Sequence, residues 1–267
     1  MVLNSLEDRM KNYEQVSKER LMRRCPVIIR IDGRAFHTFT RGFRRPFDEV
    51  LVKTMQDTTK FLCENIQNCV FGYTQSDEIS LVLVDYQKLN TDAWFDNEIQ
   101  KICSITASMA TMAFNRIFAK NVKEYNMEWE CGLTPQSVEI QKAHYDYIDV
   151  LNKAVEKGAM FDARCFNIPK EEVVNCIYWR QLDASRNSVQ MVGQAHFSQG
   201  ELHEKTCAMI QDMLHEQRGI NWNDYPTYLK RGTAIKKVDG KWEIDLDMPQ
   251  LKGEGRKYLE ELIYVGR

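Results

Sequence analysis

Read along the chain, apolar residues cluster in two different periods. Val27 to Ile31 is continuously apolar except for Arg30, the mark of a buried strand. Cys69 to Thr74 and Ile79 to Val84 are β-rich runs separated only by Gln75 to Glu78, which predicts a hairpin. Phe161 to Ile168 reads as a further strand, ended by Pro169. Helical spacing governs the rest. Ser5 caps a predicted helix carrying Leu6, Met10 and Tyr13, with a basic end from Lys18 to Arg24 and a stop at Pro26. Pro46 fits the start of a helix reaching about Asn65, with Leu51, Met55, Thr58 and Leu62 on one face. A third helix, about Glu98 to Lys120, aligns Ile102, Thr106, Met109, Ala113 and Ile117. The stretches from Asp32 to Pro46 and from Asp85 to Asn97 read as loops.

Within 121–158, Ile140, Ala143, Tyr147, Leu151 and Ala154 mark an inserted helix between loops. Glu171 to roughly Gly193 and Leu202 to His215 are helical, and Thr233 to Val238 with Lys241 to Ile244 form a hairpin around Asp239-Gly240. From residue 26 to 168 the order is strand, helix, strand, strand, helix, strand, the split βαβ pattern. The expected class is α/β (α+β): a palm-like, ferredoxin-like βαββαβ core with an antiparallel sheet, extended by C-terminal helices and a small hairpin. The expected division is 1–168 for the core and 169–267 for a helical extension packed on it. A right-handed crossover leaves a gap between the first two strands, which the third fills antiparallel. Asp32, ending the first strand, then lies beside Asp77, opening the third.

Composition narrows the class little. The 267 residues are 43% hydrophobic and 28% charged with net charge −2, so a surface for nucleic acid has to be a local patch. Met1 to Met10 has no secretory character and no apolar run approaches the roughly 20 residues of a bilayer span, so no membrane partner is expected. Eight cysteines, scattered and never in a CxxC pair, suit reduced thiols in a cytoplasmic protein.

Two strand-end carboxylates meeting at one sheet edge suit divalent metal. Magnesium takes one or two carboxylates plus substrate phosphates, and two ions about 4 Å apart can serve both the attacking and leaving oxygens. Asp32 and Asp77 are the candidate ligands, with the Gly33 carbonyl as a third; Glu78 faces the opposite side if the strand has already begun. Taken singly, strand-end aspartates cap turns. Arg34, Arg41, Arg44 and Arg45 offer donors to phosphate oxygens or form a solvated basic loop. His37 is placed to meet a base or to serve the loop's own structure. Lys101 opens a helix at the same end of the sheet, within reach of a triphosphate or simply exposed.

The ordered set Arg-Ile-Asp-Gly-Arg-Ala-Phe-His (30–37), Arg-Pro-Phe-Asp (45–48), Gln-Ser-Asp-Glu-Ile-Ser (75–80), Phe-Asp-Ala-Arg (161–164), Trp-Arg-Gln-Leu-Asp (179–183) and Lys-Arg-Gly-Thr (230–233) resembles the tRNA-His guanylyltransferase family. The resemblance implies a nucleotidyltransferase that extends RNA at its 5′ end. It implies magnesium, two ions, on Asp32, Gly33 and Asp77, with Glu78 among the catalytic carboxylates. A nucleotide, ATP or GTP, would be held by Asp32, Gly33, Arg34, Ala35, Phe36, His37, Ser76 and Asp77. Arg44, Arg45, Asp48, Lys101 and Asn187 would meet the triphosphate or RNA, and the protein would be a homotetramer acting on tRNA. Where eukaryotic members carry His-Ile-Asn-Asn-Leu-Tyr-Asn, this chain has Ala184 to Gln190, and only Asn187 holds its place. That departure resembles the bacterial and archaeal branch, which implies templated repair of truncated tRNA 5′ ends over guanylate addition restricted to histidine tRNA. A nucleotide cyclase on the same palm would carry glycines in the 75–78 turn, which are absent. A non-catalytic RNA-binding protein would not need the paired carboxylates.

Overall fold

The computed structural model describes residues 5–132 and 137–265. In chain order the elements are α1 (Leu6–Val16), β1 (Val27–Gly33), α2 (Phe36–Phe39), α3 (Glu49–Asn65), β2 (Cys69–Gln75), β3 (Glu78–Leu83), α4 (Ile99–Cys131) and α5 (Val138–Lys157). There follow β4 (Phe161–Asn167), α6 (Lys170–His196), α7 (Gln199–Leu202), α8 (Cys207–Arg218), α9 (Thr227–Arg231), β5 (Thr233–Val238), β6 (Lys241–Asp245) and α10 (Lys257–Ile263).

The strands form one sheet in the order β4-β1-β3-β2-β5-β6, with every neighbouring pair antiparallel. β1 and β2 are therefore parallel and separated by β3, the arrangement expected of a split βαβ core. The C-terminal hairpin β5–β6 continues the same sheet beyond β2. Strand alternation decides which face each residue serves. Ile29, Ile31, Ile79 and Leu81 are fully buried against α3, α4 and α5, while Ile28, Val82 and Val84 are buried on the opposite face with α6 and α10. Helices on both faces explain why β1 and β3 are apolar without alternation.

Four boundaries differ from expectation. α1 ends at Val16, so its last turn holds no basic residue, and the Lys18 to Arg24 segment lies outside it. Tertiary partners claim that segment: Leu21 N–H donates to Asn97 O at 2.9 Å, Ile99 N–H to Glu19 O at 3.0 Å, and Arg20 pairs with Asp96 at 2.5 Å. α3 starts at Glu49, not Pro46, because the Asp48 carboxylate accepts from Leu51 N–H at 3.0 Å and caps it. α4 runs on to Cys131 because Tyr125 and Trp129 stack against His144 of α5, so the described part of 121–158 holds the end of one helix and the whole of another. α8 begins at Cys207, since Leu202 closes the separate turn α7, which has a Ser198–Glu201 capping box.

α4 is long and apolar enough, by length and composition, to cross a bilayer. Its apolar stripe, Ile102, Ala110, Ala113, Phe114 and Phe118, is buried in the core beside the sheet, as in the central helix of a globular fold.

Candidate active site

The end of β1 and the β2–β3 turn converge in register. Asp32 stands opposite Glu78, and Gly33 N–H donates to Asp77 O at 3.1 Å, so Asp32 and Asp77 share one sheet edge. Ser76 and Asp77 form the whole turn between Gln75 and Glu78. Ser76 takes the left-handed conformation (φ +51°) and donates its hydroxyl to Asp77 Oδ1 at 3.1 Å. Asp77 is half-buried, and its pKa is raised: burial is the main cause, with the neighbouring Asp32 and Glu78 charges adding to it against local hydrogen bonds. Among the described residues neither Asp32 nor Asp77 has an ion-pair partner. The edge thus carries uncompensated negative charge.

Glu78 is spent differently. Its carboxylate is buried and accepts from Arg180 Nε and NH2, both at 2.6 Å, with Arg30 NH2 at 3.2 Å. Trp179 packs over these guanidiniums, 4.6 Å from Arg180 and 5.2 Å from Arg30. Glu78 does not line the cleft described next. Arg180 belongs to the Trp-Arg-Gln-Leu-Asp run, where sequence reading assigns it no role; an arginine on the buried stripe of α6, with Val173, Val174 and Ile177, is the signal of a buried carboxylate partner.

Beside Asp77 opens a cleft of about 680 Å³ whose lining includes Gly33, Ala35, Phe36, His37, Arg44, Arg45, Asp48 and Ser76. The loop that walls it is anchored by Phe36, whose ring lies in the core 5.1–5.6 Å from Phe39, Phe114 and Phe161. Gly33 is required there, because a Cβ would stand 2.2 Å from that ring. Arg41 and Arg45 are exposed on the cleft and unpaired among the described residues, whereas Arg44 is engaged by Glu49 at 3.4 Å and lies 4.1 Å from the Tyr147 ring. Asp48 is internal: it caps α3, accepts from Arg44 N–H at 3.1 Å and from the Tyr147 hydroxyl at 2.5 Å. Burial, then that bond to Asp48, keeps the Tyr147 phenol protonated.

The remaining candidates stand apart. Asn187 lines an adjoining cleft shared with Asp48, Gln75 and Ser76. Arg34 is exposed, beside Met160, and Lys101 is exposed at the first turn of α4, 3.8 Å from Glu98. Met191 and Gln194 of α6 complete the cleft wall; they fall outside every motif, and only the packing of α6 brings them there.

A split βαβ sheet edge with two unpaired carboxylates, facing an arginine-bearing cleft, defines a palm-type enzyme of phosphoryl or nucleotidyl transfer. The family model described as tRNAHis guanylyltransferase matches residues 7–169, well over half of the chain, and the chain belongs to that family of nucleotidyltransferases. A bacterial tRNA(His) guanylyltransferase (Thg1)-like protein in complex with ATP superposes with a TM-score of 0.81 at 38% identity, covering 98% of this chain and 100% of that one. A bacterial Thg1-like protein in complex with GTP gives 0.76 at 36% identity with the same coverage. The tRNA(His) guanylyltransferase of Saccharomyces cerevisiae is 24% identical over 80% of this chain and 84% of its own length. An uncharacterised protein of Acanthamoeba polyphaga mimivirus is 28% identical over 86% of this chain and 76% of its own.

Proposed function

We propose that this enzyme extends tRNA in the 3′–5′ direction, activating a 5′-monophosphorylated end with ATP or GTP and then adding nucleotides templated by the opposite strand. The 3′-hydroxyl of the incoming nucleotide attacks the activated 5′ phosphorus, and the activating group leaves. The observation that carries this reading is the meeting of Asp32 and Asp77 beside the arginine-bearing cleft. The ATP and GTP complexes of the bacterial relatives support the nucleotide class, and Ala184 to Gln190, in place of the eukaryotic run, supports templated repair.

Magnesium fits the donors present. Among the described residues no three His, Cys, Asp or Glu side chains converge, so the protein builds no closed metal cage. Two carboxylates without ion-pair partners, with other positions left to phosphates, are the set magnesium accepts. Bound there, magnesium would screen phosphate charge and favour ionisation of the attacking hydroxyl. Arg41 and Arg45 supply fixed positive charge to phosphate oxygens. No side chain has to act as a nucleophile, since phosphoryl transfer of this kind depends on positioning.

The test uses a tRNA lacking its first nucleotide, with ATP, GTP and magnesium. Wild-type protein restores the missing nucleotide. Asp32→Ala and Asp77→Ala each reduce the rate by more than about 100-fold while circular dichroism is unchanged. Wild-type rates in both variants overturn the metal assignment. Addition to an intact histidine tRNA without a templating partner, at equal or greater rate, makes the chain a guanylyltransferase in the strict sense instead of a repair enzyme.

A further inference from the structure

Joining a nucleotide to an RNA end requires two nucleotides side by side, and the cleft beside Asp77 accounts for one. A second cleft of about 520 Å³ adjoins it, sharing Arg45 and Gln194 as a common rim. Its wall includes Gln190 and Gln194, one turn apart on α6, and Gln199 and His203 at the two ends of α7. Phe197, buried between them, closes the floor.

The wall has a distinct chemistry. Three carboxamides and an imidazole each present donors and acceptors together. Among the described residues Arg45, on the shared rim, is the lining residue with a permanent charge, and no carboxylate lines the cleft. Among the described residues none of these four side chains has a hydrogen-bond partner within the chain, so their polar atoms are unspent. The geometry holding them is built. Ser198 N–H donates to the Glu201 carboxylate at 2.8 Å, and Val189, Val192, Ile210 and Leu214 pack α6 against α8 beneath.

Such a wall suits base edges and ribose hydroxyls, which offer donors and acceptors at once. A triphosphate is poorly served by one guanidinium. We propose that this second cleft receives the base and ribose of the RNA's 5′-terminal nucleotide, with its 5′ phosphate at Arg45 between the two clefts. The proposal rests on the reading of the chain as a 5′-end nucleotidyltransferase and names where that reading puts its RNA substrate.

The experiment measures binding and turnover separately. Fluorescence anisotropy follows a 5′-phosphorylated acceptor-stem duplex, and a nucleotide titration follows ATP. Gln190→Leu and Gln199→Leu each weaken RNA binding by about tenfold, the loss of one or two hydrogen bonds, and leave ATP binding within twofold, since neither side chain lines the first cleft. Gln199 and His203 are exposed, so Gln199→Leu and His203→Leu carry the test if the half-buried Gln190→Leu fails to fold. A 4-thiouridine at the RNA 5′ terminus crosslinks to the peptide spanning 187–203. Unchanged RNA affinity in the variants overturns the proposal, as does a crosslink confined to other elements. A loss confined to ATP also overturns it and assigns the cleft to the triphosphate. Wild-type protein that binds the duplex through these residues yet adds no nucleotide overturns the functional reading and leaves the binding site standing.

Discussion

Adjacent carboxylates at Asp77 and Glu78 are held in opposite electrostatic conditions. Asp77 sits in the turn with no ion-pair partner among the described residues, and its pKa is raised chiefly by burial. The folded protein therefore holds a proton on Asp77 more tightly than the unfolded chain does. Stability is present below the ordinary carboxylate range, near pH 4, and is lost as pH rises through the elevated value. Asp77→Asn should remove that loss: its thermal midpoint at pH 7.5 should exceed that of wild type by a few degrees in the absence of metal. Added magnesium should raise the wild-type midpoint and leave that of the variant unchanged, and an equal response of both proteins would count against Asp77 as a ligand.

Glu78, by contrast, is a buried anion answered by Arg180 and Arg30. Removing one partner of a buried pair strands the other, at a cost of about 3–5 kcal/mol, whereas replacing both is often close to neutral. Arg180→Met should therefore destabilise by about 3 kcal/mol in urea unfolding. Glu78→Gln combined with Arg180→Met should recover most of that loss. Additive losses in the double variant would show that the pair is not the unit. The stripe of α6 signals a buried carboxylate for Arg180, but which one is illegible in sequence, because Glu78 lies in a different element 102 positions away, brought close only by α6 crossing the sheet.

At the scale of elements, regular spacing predicted strands better than helix ends. β5 and β6 lie where the Asp239-Gly240 turn put them, and β1, β2 and β3 follow their apolar runs, because a strand buried on both faces writes its length directly into hydrophobicity. Helix ends depended on partners elsewhere: α1 stops where the following residues pair with the segment around Asn97, and α4 continues to Cys131. The α4 extension rests on His144, whose ring stacks on Trp129 at 4.1 Å between centroids and bonds Asn126 Oδ1 through Nε2 at 3.0 Å. Burial, then the Arg44 charge, lowers the His144 pKa, and its buried Nδ1 has no hydrogen-bond partner among the described residues. Since the unfolded chain binds this proton more readily, His144 stabilises the fold at neutral pH, and that contribution is lost as pH falls below its ordinary value near 6.5 toward the lowered one. His144→Phe should flatten the fall in thermal midpoint between pH 7 and pH 5. An unchanged slope would assign the acid sensitivity to other groups.

Across the whole molecule, the site was legible wherever it depended on strand order, because a split βαβ chain can bring Asp32 to Asp77 in essentially one way. It was illegible wherever α6 supplied the wall, since Met191 and Gln194 owe their place to how a 27-residue helix lies on the sheet. One feature points beyond the single chain. α1 buries none of its residues, and Leu6, Met10, Tyr13 and Val16 are 65%, 46%, 72% and 82% exposed. Leu6, Met10 and Tyr13 follow one another at helical spacing and form an apolar stripe of the kind a lone globular protein rarely leaves open. The expected assembly is a homotetramer in which this stripe is covered by another copy. Light scattering should give the mass of four chains for wild type. Leu6→Glu with Tyr13→Glu should shift it to a smaller species without changing monomer helicity, since neither side chain supports the core. If activity on tRNA falls with the mass while ATP binding holds, the RNA is gripped by more than one subunit; if the mass is unchanged, the stripe serves some other contact.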